Sequence, residues 1–269
     1  MSGFSIYWLD LREPADISGR DKGLAQKALL ALRDEHRALA PRLAVDLGAG
    51  TGSTLRALLD LGGDDIIWRL VDLDGALLDE ALLRHGQDFV IEDHQADLSV
   101  VEELPLSGAR LVTASALFDL ASQEFLERLC ERIAAQGTGL YAALNYDGTT
   151  QWQPTHALDA QVLDAFNRDQ RRDKGFGQAL GPDATRALQL ALEPRGYNVQ
   201  IATSPWQLDG SNAELVTALI NGIAEAVQET VDKEALAQWR EFRLAHANSG
   251  TCIVGHTDLL ALPDTGAKT

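Results

Sequence analysis

Three glycines at alternate positions follow an acidic residue in the stretch LAVDLGAGTGS, which runs from Leu43 to Ser53. The apolar residues up to Leu47 are typical of a short buried parallel strand, and the leucines after Ser53 are typical of a helix. Glycine permits a sharp turn and lets backbone amides at a helix start approach a ligand closely. The order of strand, glycine loop and helix therefore predicts a nucleotide-binding site, for which Ser53 is expected to cap the helix.

The spacing of these glycines separates the nucleotide classes. A dinucleotide fingerprint has two residues between its second and third glycines, whereas the loop here has single residues between Gly48, Gly50 and Gly52. A phosphate-binding loop has a lysine before its Ser or Thr, and this stretch has none. Both the dinucleotide-binding and the phosphate-binding class are therefore disfavoured. For the loop taken alone, a tight turn with a purely structural role is the alternative to nucleotide binding.

A second acidic residue, Asp72, ends the apolar run 65–72 about twenty residues after the loop. In doubly wound sheets an acid at the end of the second strand accepts hydrogen bonds from ribose hydroxyls. Asp74 follows, where it is expected to cap the next helix, and capping alone is the alternative interpretation of Asp72.

Asp46 and the three glycines together resemble the first motif of class I S-adenosylmethionine-dependent methyltransferases, [DE]-x-G-x-G-x-G. The resemblance covers roughly residues 43–145, with support from the element order to residue 260. It implies an α/β fold with a doubly wound, mostly parallel seven-stranded sheet, helices on both faces and the last strand antiparallel between the fifth and sixth. A helical N-terminal extension and insertions complete the predicted fold, and S-adenosyl-L-methionine is the implied cofactor.

The resemblance also implies roles for single residues. An acid near the end of the third strand meets the adenine amino group in this family, which corresponds to Asp97 with the amide of Leu98. A basic residue of the N-terminal extension often holds the methionine carboxylate, with Arg20 as the candidate and Arg12 in reserve. An exposed loop aspartate and ordinary surface arginines are the alternatives. The full predicted cofactor set is Arg20, Asp46, Gly48, Ala49, Gly50, Gly52, Asp72, Leu73, Asp97, Leu98 and Ser115.

Methyl transfer from a sulfonium needs mainly close positioning and exclusion of water, so a general base is optional. Tyr146 and Asp147, directly after the predicted fifth strand, are the catalytic candidates. Candidate substrate contacts are Arg12, Trp152 and His156. A packing aromatic, a plain Asp-Gly turn and a surface histidine are the respective structural alternatives.

The periodicity of apolar residues divides the chain into a core and additions. Residues 1–41 are expected to form a helical extension over the cofactor site, with 7–16 irregular and a helix within 19–39. The core is expected at 42–148 and 182–263, interrupted by a two-helix insertion at about 205–249. Residues 149–181 are interpreted as a lid or cap, and 264–269 as a mobile tail. The predicted strands are 43–47, 65–72, 88–92, 109–115, 138–144, 197–203 and 251–260.

Composition bounds the function classes. The 269 residues carry a formal charge of −17, which opposes nucleic-acid binding because such binding depends on Lys and Arg. No apolar run is long enough to cross a bilayer, and the acidic start is unlike a signal peptide, so a cytoplasmic location is expected. Cys130 and Cys252 support neither a disulfide framework nor a structural zinc site, and no metal is expected.

These observations favour a methyltransferase that acts on the oxygen or nitrogen of a small molecule. A noncatalytic S-adenosylmethionine-binding protein and, less favoured, a nicotinamide-dependent oxidoreductase are the alternatives. Neither nucleic acid nor membrane is an expected partner, and a homodimer is left open.

Overall fold

A computed structural model describes residues 4–34, 41–62 and 65–264. The helices are α1 (Ile6–Gly19), α2 (Lys22–Leu32), α3 (Ser53–Leu59), α4 (Gly75–His85), α5 (Gln123–Gln136), α6 (Asp159–Asp169), α7 (Ala184–Leu192), α8 (Ala213–Val227) and α9 (Lys233–Ala245). The strands are β1 (Leu43–Leu47), β2 (Ile67–Asp72), β3 (Ile91–Gln95), β4 (Leu111–Ser115), β5 (Gly139–Gln153), β6 (Tyr197–Thr203), β7 (Trp206–Leu208) and β8 (Thr251–Pro263).

The strands form one sheet in the order β3-β2-β1-β4-β5-β8-β6. The pairs β1 with β2, β1 with β4, β2 with β3 and β4 with β5 are parallel. Strand β8 lies antiparallel between β5 and β6. The predicted fold class is confirmed, including the place of the last strand. Short β7 pairs with β8 and adds an eighth strand that is not among the seven predicted ones.

Both faces of the sheet are covered by helices. Alternate residues of β1 enter opposite clusters, with Leu43, Val45 and Leu47 on the side of α5 and α7 and Ala44 on the side of α2, α3 and α4. All five residues of β1 are buried, as the unbroken apolar run predicts. Because parallel strands end at one edge of the sheet, the segments after β1, β2 and β4 meet there.

A third hydrophobic cluster lies apart from the two faces of the sheet. It joins side chains of α1, the distal part of β5, α6, β7, α8 and α9, and we call this assembly the cap. At its centre Trp152 packs edge-on against Trp239, with ring centroids 6.2 Å apart. The predicted lid and the predicted two-helix insertion therefore share one core, because the apolar face of α6 packs against α8.

The predicted lid segment does not stay together. Its first residues continue β5 as far as Gln153, since β8 pairs with this strand along residues 150–153, whereas the prediction ended it at Leu144. Its last part leaves the cap, because Phe176 packs edge-on against Phe125 of α5 at 5.2 Å. The predicted domain boundaries otherwise stay a prediction.

The N-terminal extension is helical, but its elements differ from those predicted. Residues 7–16, expected to be irregular, form most of α1, which starts where the Ser5 hydroxyl accepts a hydrogen bond from the Trp8 amide at 3.2 Å. Pro14 lies inside this helix, which is why the sequence indicated a break there. The predicted helix 19–39 corresponds to α2, and residues 35–40 lie outside the described ranges.

Smaller differences concern element ends. Strand β3 begins at Ile91, three residues after the predicted start. Helix α3 begins at Ser53 without a side-chain cap, since Gly52 occupies the cap position in a left-handed conformation. Asp74 caps α4 as predicted, its carboxylate accepting from the Ala76 amide at 2.9 Å. Of the predicted tail, residues 265–269 lie outside the described residues.

Within the described ranges, none of the helices is long and apolar enough to cross a membrane. The same residues contain no group of three or more His, Cys, Asp or Glu side chains that could hold a metal ion.

Candidate functional site

The glycine loop follows β1 and turns directly into α3. Gly48, Gly50 and Gly52 all have positive φ angles, of 66°, 53° and 85°, which residues with a Cβ rarely adopt. The Gly48 and Ala49 amides both donate to the Val71 carbonyl, at 2.8 and 3.1 Å. These bonds fasten the loop to β2. The positive φ angles explain why the sequence has glycine at all three positions.

Asp72 lies against this loop at the end of β2. One carboxylate oxygen accepts a hydrogen bond from the Gly50 amide at 2.8 Å, and the other from the Asp74 amide at 3.0 Å. Both bonds hold the carboxylate at the carboxyl edge of the sheet and leave each oxygen further acceptor capacity. Leu73, next in the chain, is half exposed.

Arg20 reaches the same edge from the connection between α1 and α2. Its side chain is 6% exposed, and its Nη2 donates to the Ser115 hydroxyl at 3.0 Å. The Ser115 hydroxyl also lies 2.9 Å from the Thr54 hydroxyl of α3. Nε and Nη1 of Arg20 have no partner among the described residues. Tyr141, Asp258 and Asp16 also act on this guanidinium, and Nε and Nη1 keep the capacity to donate to a ligand.

Asp46 lies beneath the loop within β1. Its Oδ1 accepts from the Thr113 hydroxyl at 2.6 Å, and its Oδ2 has no partner in the described part of the chain. Burial raises the pKa of Asp46 to about 7, although Thr113 and the nearby Arg20 charge oppose that rise. The structure thus brings together Arg20, Asp46, the glycines, Asp72 and Ser115.

The segment after β3 closes another side of this group. A Cβ on Gly48 would lie 3.4 Å from Leu117 and 3.9 Å from Leu98. Asp97 holds its own turn, since its carboxylate accepts from the Ser99 amide at 2.9 Å. Leu98 is buried next to the loop. An apolar side chain at this place agrees with its expected position beside the adenine ring.

Helix α1 covers the glycine loop. A Cβ on Gly50 would lie 3.1 Å from Leu9, so the helix contacts the loop directly. Glu13 forms an ion pair with Arg56 of α3, and Arg56 also donates to the Thr51 carbonyl at 2.5 Å. The predicted position of the N-terminal extension over this site agrees with these contacts.

Two residues other than glycine have left-handed backbones at this edge, Ala116 with φ 50° and Leu144 with φ 56°. They lie side by side, because the Ala116 amide donates to the Ala143 carbonyl at 2.9 Å. The Leu144 amide donates to buried Asp258 at 2.8 Å. Such strained residues concentrate where the backbone must present groups to a site. Here they redirect β4 and β5 towards the cap.

The two catalytic candidates lie in the redirected part of β5. The Tyr146 hydroxyl donates to the Asn167 side chain at 3.0 Å, and burial raises the pKa of Tyr146 to about 12. The Asp147 carboxylate accepts from the amide and the hydroxyl of Thr149, at 2.9 and 2.7 Å. Both side chains therefore have structural partners, as their alternative interpretations required.

The three substrate candidates separate. Arg12 donates to both carboxylate oxygens of Asp16, at 2.8 and 3.1 Å, and lies over the Trp206 ring, on the cap side of the site. Trp152 instead fills the cap core. His156 packs against Phe242 of α9, with ring centroids 4.9 Å apart. The structure does not bring Trp152 or His156 to the glycine loop.

Sequence reasoning missed two buried polar residues near Arg12. Asp119 follows β4 and is 8% exposed, and His256 lies in β8 and is 6% exposed. Asp119 lies four residues after Ser115, which belongs to the predicted cofactor set. No signal in the sequence marked His256, which lies in an apolar strand far along the chain.

Burial raises the pKa of Asp119 to about 6, opposed by the Arg12 charge. A carboxyl with a raised folded-state pKa destabilises the fold as pH rises from its unfolded value towards its folded value. We therefore expect Asp119→Asn to have little effect on unfolding free energy at pH 4 and to stabilise the protein by about 2 to 3 kcal/mol at pH 7. Urea unfolding at both pH values measures this difference, and a gain equal at pH 4 and pH 7 would contradict it.

A separate groove of about 680 Å³ lies between the start of α5 and the segment 175–180. Its wall includes Ser99, one residue after Leu98, and Arg171, which pairs with Asp183 at 2.8 Å. None of the predicted site residues lines it.

No protein-family model matches the chain, and no curated protein sequence matches it. Solved structures do. A cyclopropane-fatty-acyl-phospholipid synthase-like protein from Lactobacillus casei superposes with a TM-score of 0.51 at 14% identity, covering 94% of this chain and 98% of that one. The YcgJ protein from Bacillus subtilis gives a TM-score of 0.51 at 14% identity, covering 88% and 99%. At these identities the likeness establishes the fold.

Proposed function

We propose that this protein, which has the class I methyltransferase fold, is an S-adenosylmethionine-dependent methyltransferase that acts on a small-molecule acceptor. The observation that carries the proposal is buried Arg20, which donates to Ser115 and has two guanidinium nitrogens without a hydrogen-bond partner among the described residues. Arg20 is a cation and Asp72 is an anion. They match a ligand with a carboxylate at one end and hydrogen-bond-donating ribose hydroxyls at the other.

The residues present fit S-adenosylmethionine part by part. Arg20 would bind the methionine carboxylate, and the turn from Gly48 to Gly52 would lie against the backbone of that moiety. Asp72 would accept the ribose hydroxyls, and Asp97 and Leu98 would receive the adenine. When bound, the cofactor supplies an activated methyl group with a neutral thioether as the leaving group.

The chain's own residues position the reactants and exclude water. Helix α1 contacts the glycine loop through Leu9 and is fastened to α3 by the pair of Glu13 with Arg56. The cap lies beyond Ser115 and Leu144, so an acceptor would sit between the sheet edge and the cap. Holding nucleophile and methyl group in line in such a closed space supplies most of the catalysis this reaction needs.

We do not assign Tyr146 or Asp147 the role of general base. With a pKa raised to about 12, Tyr146 stays protonated at neutral pH and acts as a hydrogen-bond donor. The Asp147 carboxylate is engaged by Thr149. We propose that both orient the wall of the acceptor space.

The test is methyl transfer to an identified acceptor. The protein is incubated with S-adenosylmethionine carrying a trideuterated methyl group and with mixtures of small amines, alcohols, phenols and carboxylic acids. The expected result is a product that gains one labelled methyl group, accompanied by an equal amount of S-adenosylhomocysteine. Boiled protein and Arg20→Met serve as controls.

Binding of S-adenosylhomocysteine without methylation of any class of acceptor would favour the noncatalytic alternative. The formal charge of −17 supports neutral or cationic acceptors over nucleic acid, because an acidic surface repels phosphate chains.

A further inference from the structure

Two buried polar side chains, Asp119 and His256, each have a side-chain atom without a hydrogen-bond partner among the described residues. Asp119 follows β4 by four residues, and its Oδ1 has no hydrogen-bond partner among the described residues. His256 lies in β8, and its Nδ1 likewise has none within the described ranges. Both are more than nine-tenths buried, so water does not supply the missing bonds freely.

The Arg12 charge offsets only part of the cost of burying the Asp119 carboxylate, whose pKa stays raised. Arg12 is close enough to act on Asp119 electrostatically, but its guanidinium donates to both oxygens of Asp16. Tyr146 is the other neighbour that interacts with Asp119, and its hydroxyl donates to Asn167. Oδ1 of Asp119 is thus a buried acceptor without a hydrogen bond. Its neighbours Arg12 and Tyr146 donate to Asp16 and Asn167 instead.

His256 belongs to an aromatic cluster and shares the neighbours Arg12 and Tyr146 with Asp119. Its ring centroid lies 5.0 Å from that of Trp206 and 6.2 Å from that of Tyr146. Burial and the Arg12 charge lower the pKa of His256 to about 3. The His256 ring is therefore neutral at physiological pH. One of its nitrogens can accept a hydrogen bond, and the ring carries no positive charge that would oppose a cationic ligand.

The position of Asp119 connects it to the cofactor site. Ser115 contacts Arg20, and Leu117 contacts the glycine loop. Asp119 follows in the same segment, after the backbone has turned at Ala116. A group bound to Asp119 would therefore lie on the cap side of the proposed methyl position.

We propose that Asp119 and His256 form the acceptor site and that the acceptor is a small molecule with a protonated amine next to an apolar ring. The amine would give the buried carboxylate the cationic donor it lacks, and the ring would pack against Trp206 and Tyr146. This inference deepens the proposed function and rests on it for the location of the reacting methyl group.

The experiment uses three probes that share one ring and differ in charge: phenethylamine, 2-phenylethanol and 3-phenylpropanoate. Their dissociation constants are measured by ligand-observed NMR, with the full chain alone and with S-adenosylhomocysteine present. We expect the amine to bind wild type about 10-fold more tightly than the alcohol, and the acid to bind most weakly. Equal affinities for amine and alcohol would overturn the inference.

Variants locate the preference. Asp119→Asn should weaken amine binding about 10-fold, to the level of the alcohol, with alcohol and S-adenosylhomocysteine binding unchanged. Asp164→Asn, at an exposed position of α6, is the matched control and should keep the preference. His256→Phe should reduce the preference several-fold while the ring still packs. Amine selectivity retained in Asp119→Asn would overturn the inference.

The two proposals fail separately. Binding of S-adenosylhomocysteine with no amine preference would leave the proposed function standing and reject this acceptor site. An amine preference that Asp119→Asn removes, in a protein that does not bind S-adenosylhomocysteine, would support the amine site and reject the proposed cofactor.

Discussion

Arg20→Met is expected to weaken the binding of S-adenosylhomocysteine about 100-fold and to leave 5′-methylthioadenosine binding unchanged. The two ligands share the adenosine and the thioether, but only the first has the amino-acid carboxylate. Arg20 is 6% exposed with Nε and Nη1 unpartnered, so a bound carboxylate would form charge-assisted bonds away from water. Loss of such bonds costs about 3 kcal/mol.

Calorimetric titration of both ligands measures this difference, with Lys22→Met as the control because Lys22 is an exposed cation two residues away. The control should bind both ligands as wild type does. An equal loss for both ligands would show that Arg20 acts on the shape of the site instead of on the carboxylate, and the assignment would be wrong.

Asp72→Ala should weaken ligand binding at least as much as Arg20→Met does, through contacts to the ribose at the other end of the cofactor. We expect 10²- to 10³-fold weaker binding of both S-adenosylhomocysteine and 5′-methylthioadenosine, because the carboxylate would accept two ribose hydroxyls. The variant also removes the bond from the Gly50 amide to Asp72, which loosens the loop that the ligand contacts.

Asp74→Ala is the matched control for this effect. Asp74 lies two residues further and caps α4 through the Ala76 amide, so its loss should cost about 1 kcal/mol of unfolding free energy without changing affinity. A ligand lacking both ribose hydroxyls should lose much less affinity in Asp72→Ala, because only the loosened glycine loop weakens its binding. If Asp72→Ala retains wild-type affinity for S-adenosylhomocysteine, the ribose role is refuted.

The sheet and the glycine loop with its neighbours were predictable because their signals are local. The order of strand, glycine loop and helix follows from eleven consecutive residues, and Asp72 ends the next apolar run. Strand β1 is short and fully buried, so its end fixes the place of the glycine loop that follows. Arg20 followed from the family resemblance, and the structure brings it to Ser115.

The cap was not predictable in the same way. The cap core collects Ala15, Trp152, Val162, Trp206 and Trp239, which lie in five separate segments of the sequence. Apolar periodicity shows that each segment packs, but it does not show against which partner. Trp152 and His156 were therefore assigned to the substrate when the structure packs them against α9.

Asp119 and His256 illustrate the same limit for polar residues. Asp119 is an isolated polar side chain within an apolar run, and His256 precedes Thr257 and Asp258 in β8. Both come close to Arg12 and Tyr146 only after β4, β5 and β8 have paired. Their unmet hydrogen-bonding capacity is a property of the folded environment and leaves no trace in residue spacing.

The most direct test is a calorimetric titration of wild-type protein with S-adenosylhomocysteine and, separately, with NAD⁺. The glycine loop, Arg20 and Asp72 together predict one binding site for S-adenosylhomocysteine and no binding of NAD⁺. Binding of NAD⁺ alone, or of neither ligand to the folded protein, would contradict the proposal that this site holds S-adenosylmethionine.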